Sequence, residues 1–142
     1  MEDRSEEHFI IENRISELPA LAERVEELAE RWELQPTVTM NINLVLEEAL
    51  SNIIYYAYPD DGEHEIQISL SLEGQNLCII ITDDGIAFDP TAHQEPDISL
   101  SAEERPVGGL GIFLISKIMD SVRYAREQNR NTLTLQKKIV CK

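Results

Sequence analysis

Between Ile42 and Thr82 the apolar residues change their spacing once, and that change restricts the fold more than any other feature of the chain. Ile42, Val45, Leu46, Ala49, Leu50, Ile53, Ile54 and Ala57 recur at helical spacing, which predicts a core helix with a broad apolar face ending near Ala57. After the turn signal Pro59-Asp60-Asp61-Gly62, Ile66, Ile68, Leu70 and Leu72 alternate with Gln67, Ser69 and Ser71, the period-2 pattern of a half-buried strand. Glu73-Gly74-Gln75-Asn76 turns the chain into residues 77–82, apolar on both faces and read as a central strand. Strands joined by so short a turn are antiparallel, so the block is a helix followed by a hairpin.

The flanks extend this pattern. Residues 8–12 read as a short edge strand, and Leu18, Leu21, Val25, Leu28 and Trp32 form the narrow stripe of a helix over 17–32. Pro36 breaks the chain, and Thr37 or Thr39 is the expected cap of the helix that follows. A further helix is expected over 112–119, then a hairpin of 121–126 and 132–140 around Gln128-Asn129-Arg130-Asn131. The result is an α+β two-layer sandwich, with helices on one face of a mixed, mostly antiparallel sheet, expected as a single domain over 1–142.

Composition excludes several classes. With 42% apolar and 27% charged residues the chain is not of disordered type, and its longest apolar run, 77–81, is too short to span a membrane. The opening MEDRSEE is no secretory leader, and two cysteines make no disulfide framework, so a cytoplasmic setting is expected. The net charge of −15 argues against nucleic acid and anionic membranes as partners. Residues 1–65 carry 17 acidic and 4 basic side chains (net −13), whereas residues 66–142 carry 10 and 8 (net −2). An anionic ligand would sit more easily against the second half, or with a cation to help it.

Three stretches carry chemistry. Glu48 and Asn52 lie one helical turn apart on the side away from the apolar face, where a carboxylate and a carboxamide can orient a nucleophile and offer an oxygen to Mg²⁺. A solvated polar face explains the same pair. Asp83-Asp84-Gly85-Ile86-Ala87 leaves the central strand directly, where Asp83 can accept a hydrogen bond from an exocyclic amine and Gly85 permits close backbone approach. A plain Asp-Gly turn reads the same way. Gly108-Gly109-Leu110-Gly111 opens a helix with backbone N–H groups free to face an anion, although a hinge would use the same glycines. Between the last two stretches, residues 86–107 hold three of the six prolines, and Arg105 at their end could swing onto a phosphate. His8, His64 and His93 share no metal-cage spacing and are read as surface residues.

In order and placement, these stretches resemble the nucleotide-binding fold of gyrase, histidine kinases and MutL, known as the GHKL or Bergerat fold. Within it, residues 8–140 look like the small anti-sigma factor serine/threonine kinases of bacterial partner-switching systems. The resemblance implies that Glu48 is the catalytic base, Asn52 the Mg²⁺ ligand, and Asp83 and Gly85, with Ala87 nearby, the adenine site. It further implies that Gly108, Gly109, Leu110 and Gly111 bind phosphate, that Arg105 reaches the γ-phosphate, and that residues 86–107 form an ATP lid. Ala87 stands where the wider family often has glycine, and Tyr55-Tyr56 where the small kinases often have histidine.

ATP and Mg²⁺ are the implied cofactors. The implied partners are a sequestered sigma factor and an anti-anti-sigma antagonist with a phosphorylatable serine or threonine, and the implied assembly is a homodimer. A nucleotide-responsive binding module without transferase activity is the alternative. An interaction protein that no longer binds ATP would have little use for Glu48, Asn52, Asp83, Gly109 and Gly111 together.

Overall fold

The computed structural model describes residues 4–60, 62–87, 89 and 109–139, with only the backbone for residues 109–113. The elements run β1 (Arg4–Glu12), a 3-10 turn (Ile15–Glu17), α1 (Leu18–Arg31), α2 (Pro36–Tyr56), β2 (Glu65–Glu73), β3 (Asn76–Asp83), α3 (Gly109–Ile118), β4 (Ser121–Glu127) and β5 (Arg130–Lys138). The strands form one five-stranded sheet in the order β1-β2-β3-β5-β4. All four pairings are antiparallel, so the expected mostly antiparallel sheet is antiparallel throughout its described strands.

The alternation in β2 does what its pattern requires. Ile66, Ile68 and Leu70 are buried beneath the helices, as are Leu77, Ile79 and Ile81 of β3 and Leu133 and Leu135 of β5. From the helical layer, Leu21, Val25 and Leu28 of α1, Val45, Leu46 and Leu50 of α2, and Ile115 of α3 close this core. Each such side chain contributes roughly 1.5–3 kcal/mol by leaving water. β3 is central, as expected, but no described element covers its second face: Cys78, Ile80 and Thr82 stay partly exposed. An apolar run alone cannot distinguish a strand covered on both faces from one covered on one.

Several boundaries differ from the sequence expectation. Pro36 does not break the chain but occupies the first position of α2, where its missing N–H costs nothing and its fixed φ suits a helix. Gln35 is therefore the cap residue, and Thr37 and Thr39 lie inside the helix. Thr39 Oγ1 donates back to Gln35 O at 3.3 Å instead of capping. At the end of α1, Glu33 takes a left-handed φ of 56°. Leu34 N then donates to Ala29 O and Glu33 N to Glu30 O, closing the helix with the Schellman pattern and burying Leu34.

The closing hairpin turns on Gln128 and Asn129 alone, with φ of 52° and 62°, so Arg130 and Asn131 are strand residues rather than loop. β1 begins at Arg4, four residues before the apolar stretch, because its pairing with β2 continues through charged residues. α3 begins at Gly109, so Gly109 and Gly111 belong to its first turn.

Candidate functional site

The site is built from the C-terminal half of α2 and the end of β3. The apolar face of α2 fixes the helix on the sheet, and this sets where Glu48 and Asn52 fall. Glu48 is half-buried, but Asn52 does not lie away from the apolar face as expected: it is 3% exposed, among the buried residues of α2, because the broad contact of this helix reaches round to it. Among the described residues Asn52 Nδ2 has no hydrogen-bond partner. A buried amide left this way costs roughly 1–3 kcal/mol, which a bound ligand oxygen would offset.

At the other element, Asp83 is the last residue of β3 and 4% exposed. Its Oδ1 accepts from Gly85 N at 2.9 Å and from Asn131 Nδ2 at 2.9 Å. Burial pushes the Asp83 carboxyl above its usual range, and the charge of Asp84 adds to this. The two donated bonds and the Arg126 charge act the other way.

Gly85 joins the two elements. A Cβ on it would lie 2.4 Å from the Ala57 carbonyl oxygen and 2.5 Å from Ala57 Cβ. Its backbone therefore touches the residue that ends α2, and Ile86 N donates to Ala57 O at 2.8 Å. Glycine is required here by close approach; among the described glycines only Gly74 has a positive φ. Ala57 lies five residues beyond Asn52, about 7.5 Å along the helix axis. The turn that carries Asp83 is thus held against the end of the helix that carries Glu48 and Asn52.

The remaining sequence-identified residues divide. Ala87 follows the turn and is exposed. Gly109, Leu110 and Gly111 form the first turn of α3, which packs against α2. Arg105, Gly108 and nearly all of residues 86–107 lie outside the described residues.

Sequence reasoning missed three contributors. Asn131 stands opposite Asp83 in the β3–β5 register, and Arg126 Nη1 donates to Gly85 O at 2.7 Å. Asn131 was hidden because it read as turn rather than strand. His64 is the third: it lies at the surface as expected, but it is not without partners. Its side chain is 22% exposed and stacks on Tyr58 with ring centroids 4.4 Å apart. Its Nε2 lies 3.1 Å from Asp60 and its Nδ1 3.3 Å from Asp84. The signal available was the acidic neighbourhood of Asp60 and Asp84, which is split across the hairpin. Burial disfavours the imidazolium, but the bonds and charges of Asp60 and Asp84 outweigh it and raise the His64 pKa. Burial, then the charges of Asp83 and Asp84, raise the Tyr58 phenol and keep it neutral.

Because the folded pKa of His64 exceeds its unfolded value, the stability it contributes is fully present below the unfolded pKa of about 6.5. It is lost as pH rises through the raised folded value. His64→Gln is expected to lower the urea midpoint most near pH 5.5 and by a steadily smaller amount towards pH 9. A difference from the parent that does not vary with pH would show that the imidazolium is not what holds the two carboxylates.

The carboxamide of Asn52 offers both a hard oxygen and an unpartnered donor. Mg²⁺ is held by one or two protein oxygens plus substrate phosphates, so the group fits a metal-bound triphosphate. No group of three or more His, Cys, Asp or Glu among the described residues could hold a metal by itself. No described helix is long and apolar enough to cross a membrane.

A helical layer over an antiparallel sheet, with an acid–amide pair on the central helix and a buried carboxylate at the end of the central strand, defines an ATPase-type nucleotide-binding domain. Residues 11–137 match the histidine kinase-like ATPase domain family, and the chain belongs to that family. It is similar to the serine/threonine-protein kinase BtrW of Bordetella bronchiseptica, at 31% identity over 108 residues, covering 76% of this chain and 75% of that protein. It is also similar to the serine-protein kinase RsbW of Bacillus cereus, at 31% identity over 97 residues, covering 66% of this chain and 60% of that kinase.

Among solved structures, the RsbU and RsbW domains of a Mycobacterium tuberculosis protein superpose with a TM-score of 0.66 at 15% identity, covering 94% of this chain and 32% of that one. The SiaB–SiaC complex of Pseudomonas aeruginosa gives 0.56 at 13% identity, covering 92% and 89%. At these identities the superpositions establish the fold.

Proposed function

We propose that the chain is an ATP-dependent protein serine/threonine kinase of a partner-switching system, which sequesters a sigma factor and phosphorylates an anti-anti-sigma antagonist. One observation carries the reading: through the Gly85–Ala57 contact, the turn of the buried Asp83 is held against the helix bearing Glu48 and Asn52. The names of the relatives, serine-protein kinases at 31% identity, support the reaction class.

Bound ATP and Mg²⁺ supply the γ-phosphoryl group and the counter-charge it needs within an acidic protein. Asn52 offers the metal its carboxamide oxygen. Asp83 accepts a hydrogen bond from the exocyclic amine of adenine, with Gly85 and Ala87 along the base. Glu48 would take the proton of a partner serine or threonine hydroxyl, or orient that hydroxyl, for transfer of the γ-phosphoryl group to its oxygen, with ADP as the leaving group. Gly109, Leu110 and Gly111 at the start of α3 would cradle phosphates together with Gly108; Arg105 as a γ-phosphate contact and residues 86–107 as a water-excluding lid are what the resemblance implies. We assign residues 1–142 to one such domain, acting as a cytoplasmic homodimer.

The test has two arms. Mg-ATP at a hundred times its dissociation constant is expected to stabilise the fold by about 2.7 kcal/mol in urea unfolding. Asp83→Asn is expected to lose most of that gain. With γ-labelled ATP, label should pass to a serine or threonine of a small antagonist supplied from an adjacent gene. Absence of stabilisation would refute nucleotide binding, whereas binding without transfer to any such acceptor would reduce the chain to a nucleotide-responsive module.

A further inference from the structure

Asn131 takes no part in the steps above, yet it is 5% exposed and sits at the centre of the polar cluster behind the turn 83–86. Its Nδ2 donates to Asp83 Oδ1 at 2.9 Å and to Ile86 O at 2.7 Å. Its Oδ1 accepts from Tyr124 Oη and, at 3.1 Å, from Arg126 Nη1. The same Arg126 nitrogen donates to Gly85 O at 2.7 Å. Two side chains of the β4–β5 hairpin therefore hold Asp83, Gly85 and Ile86 from the sheet side, while Ala57 holds Ile86 from the helix side. Among the described residues, both hydrogen bonds to the Asp83 carboxylate fall on Oδ1.

We propose that Asn131 and Arg126 form a positioning clamp for base recognition, fixing Oδ1 of Asp83 and the turn 83–86 so that Oδ2 is reserved for the exocyclic amine of a 6-aminopurine. This rests on the reading of the chain as a nucleotide-binding protein. The selectivity follows from donor–acceptor arithmetic. A carboxylate held with one oxygen engaged presents only an acceptor, which suits the amine of adenine and opposes the 6-oxo group of guanine. A carboxylate free to rotate could instead turn towards the ring N–H or 2-amino group of guanine.

Asn131 is also one of the groups that favour the charged carboxylate. Burial and Asp84 oppose it, Gly85 N–H and Arg126 assist it, and Tyr58 lies close enough to sense its charge. Removing the Asn131 donor should therefore move the acid limit of binding as well as its strength, which a purely architectural residue would not do.

The experiment titrates the full chain with Mg-ADP and with Mg-GDP between pH 5 and 9. The parent should bind ADP, with affinity falling towards the acid end as the raised Asp83 carboxyl begins to take up a proton. Asn131→Ala is expected to weaken ADP binding about tenfold and to move the acid limb to higher pH. The ADP:GDP ratio should narrow with it. Arg126→Met, at an exposed position, should weaken ADP binding about threefold in the same direction.

An unchanged ADP affinity and acid limb in Asn131→Ala would overturn the clamp. Should that variant not fold by circular dichroism, an unchanged Arg126→Met would overturn it instead. A folded parent chain that binds neither nucleotide would refute the nucleotide reading itself, a result separate from either variant's behaviour.

Discussion

Glu48→Gln is expected to bind Mg-ATP as the parent does while transferring phosphoryl about 10²- to 10⁴-fold more slowly, the usual contribution of a general base. The change removes a proton acceptor but keeps shape and hydrogen-bonding reach at a half-buried position on α2, so the fold should be unaffected. The measurement is γ-label transfer to the partner hydroxyl under single-turnover conditions, with ADP affinity determined in parallel. Equal loss of binding and transfer would mean that Glu48 helps hold the nucleotide. Unaltered transfer would place the proton acceptor elsewhere.

The second large effect belongs to Gly85. An alanine there cannot be accommodated by side-chain movement, because the nearest atom, 2.4 Å from the added Cβ, is the carbonyl oxygen of Ala57. The turn must lift off the end of α2, breaking the 2.8 Å bond from Ile86 N and loosening the Gly85 N–H on Asp83. Overpacking of this kind costs about 1–3 kcal/mol, and a lost hydrogen bond adds about 1 kcal/mol. We expect Gly85→Ala to lower stability by about 3 kcal/mol in urea and to weaken ADP binding at least about tenfold, since Asp83 moves with the turn. Adding Ala57→Gly should recover only part of the stability, because it removes a methyl group and leaves the carbonyl in place. Full recovery would show that the steric conflict lies in the side chain.

The two expectations differ in how far they could be read before the fold was known. The proximity of Glu48 and Asn52 was legible because helical spacing is local, four residues along α2 bringing both side chains to one side, but the burial of Asn52 was not, since it depends on what the helix packs against. Asp83 was legible because the apolar run of β3 ends on it. Gly85 was legible as a glycine after a strand, but its reason was not, since Ala57 is 28 positions earlier and the contact exists only once helix and sheet have packed.

The contacts of His64 were hidden for a similar cause. Its two carboxylate partners are 4 and 20 residues away, on opposite sides of a hairpin whose closure brings them together.

Local periodicity by itself determined the helices, the hairpins, the helical layer over an antiparallel sheet, and the carboxylate at the end of the central strand. Tertiary structure alone decided that Asn131, 48 residues from Asp83, would stand opposite it and hold its carboxylate. Side-chain periodicity declares which face of a strand is buried. Which residue lies across from which depends on where the turn falls, and here a two-residue turn at Gln128 and Asn129 moved Asn131 from loop into ladder.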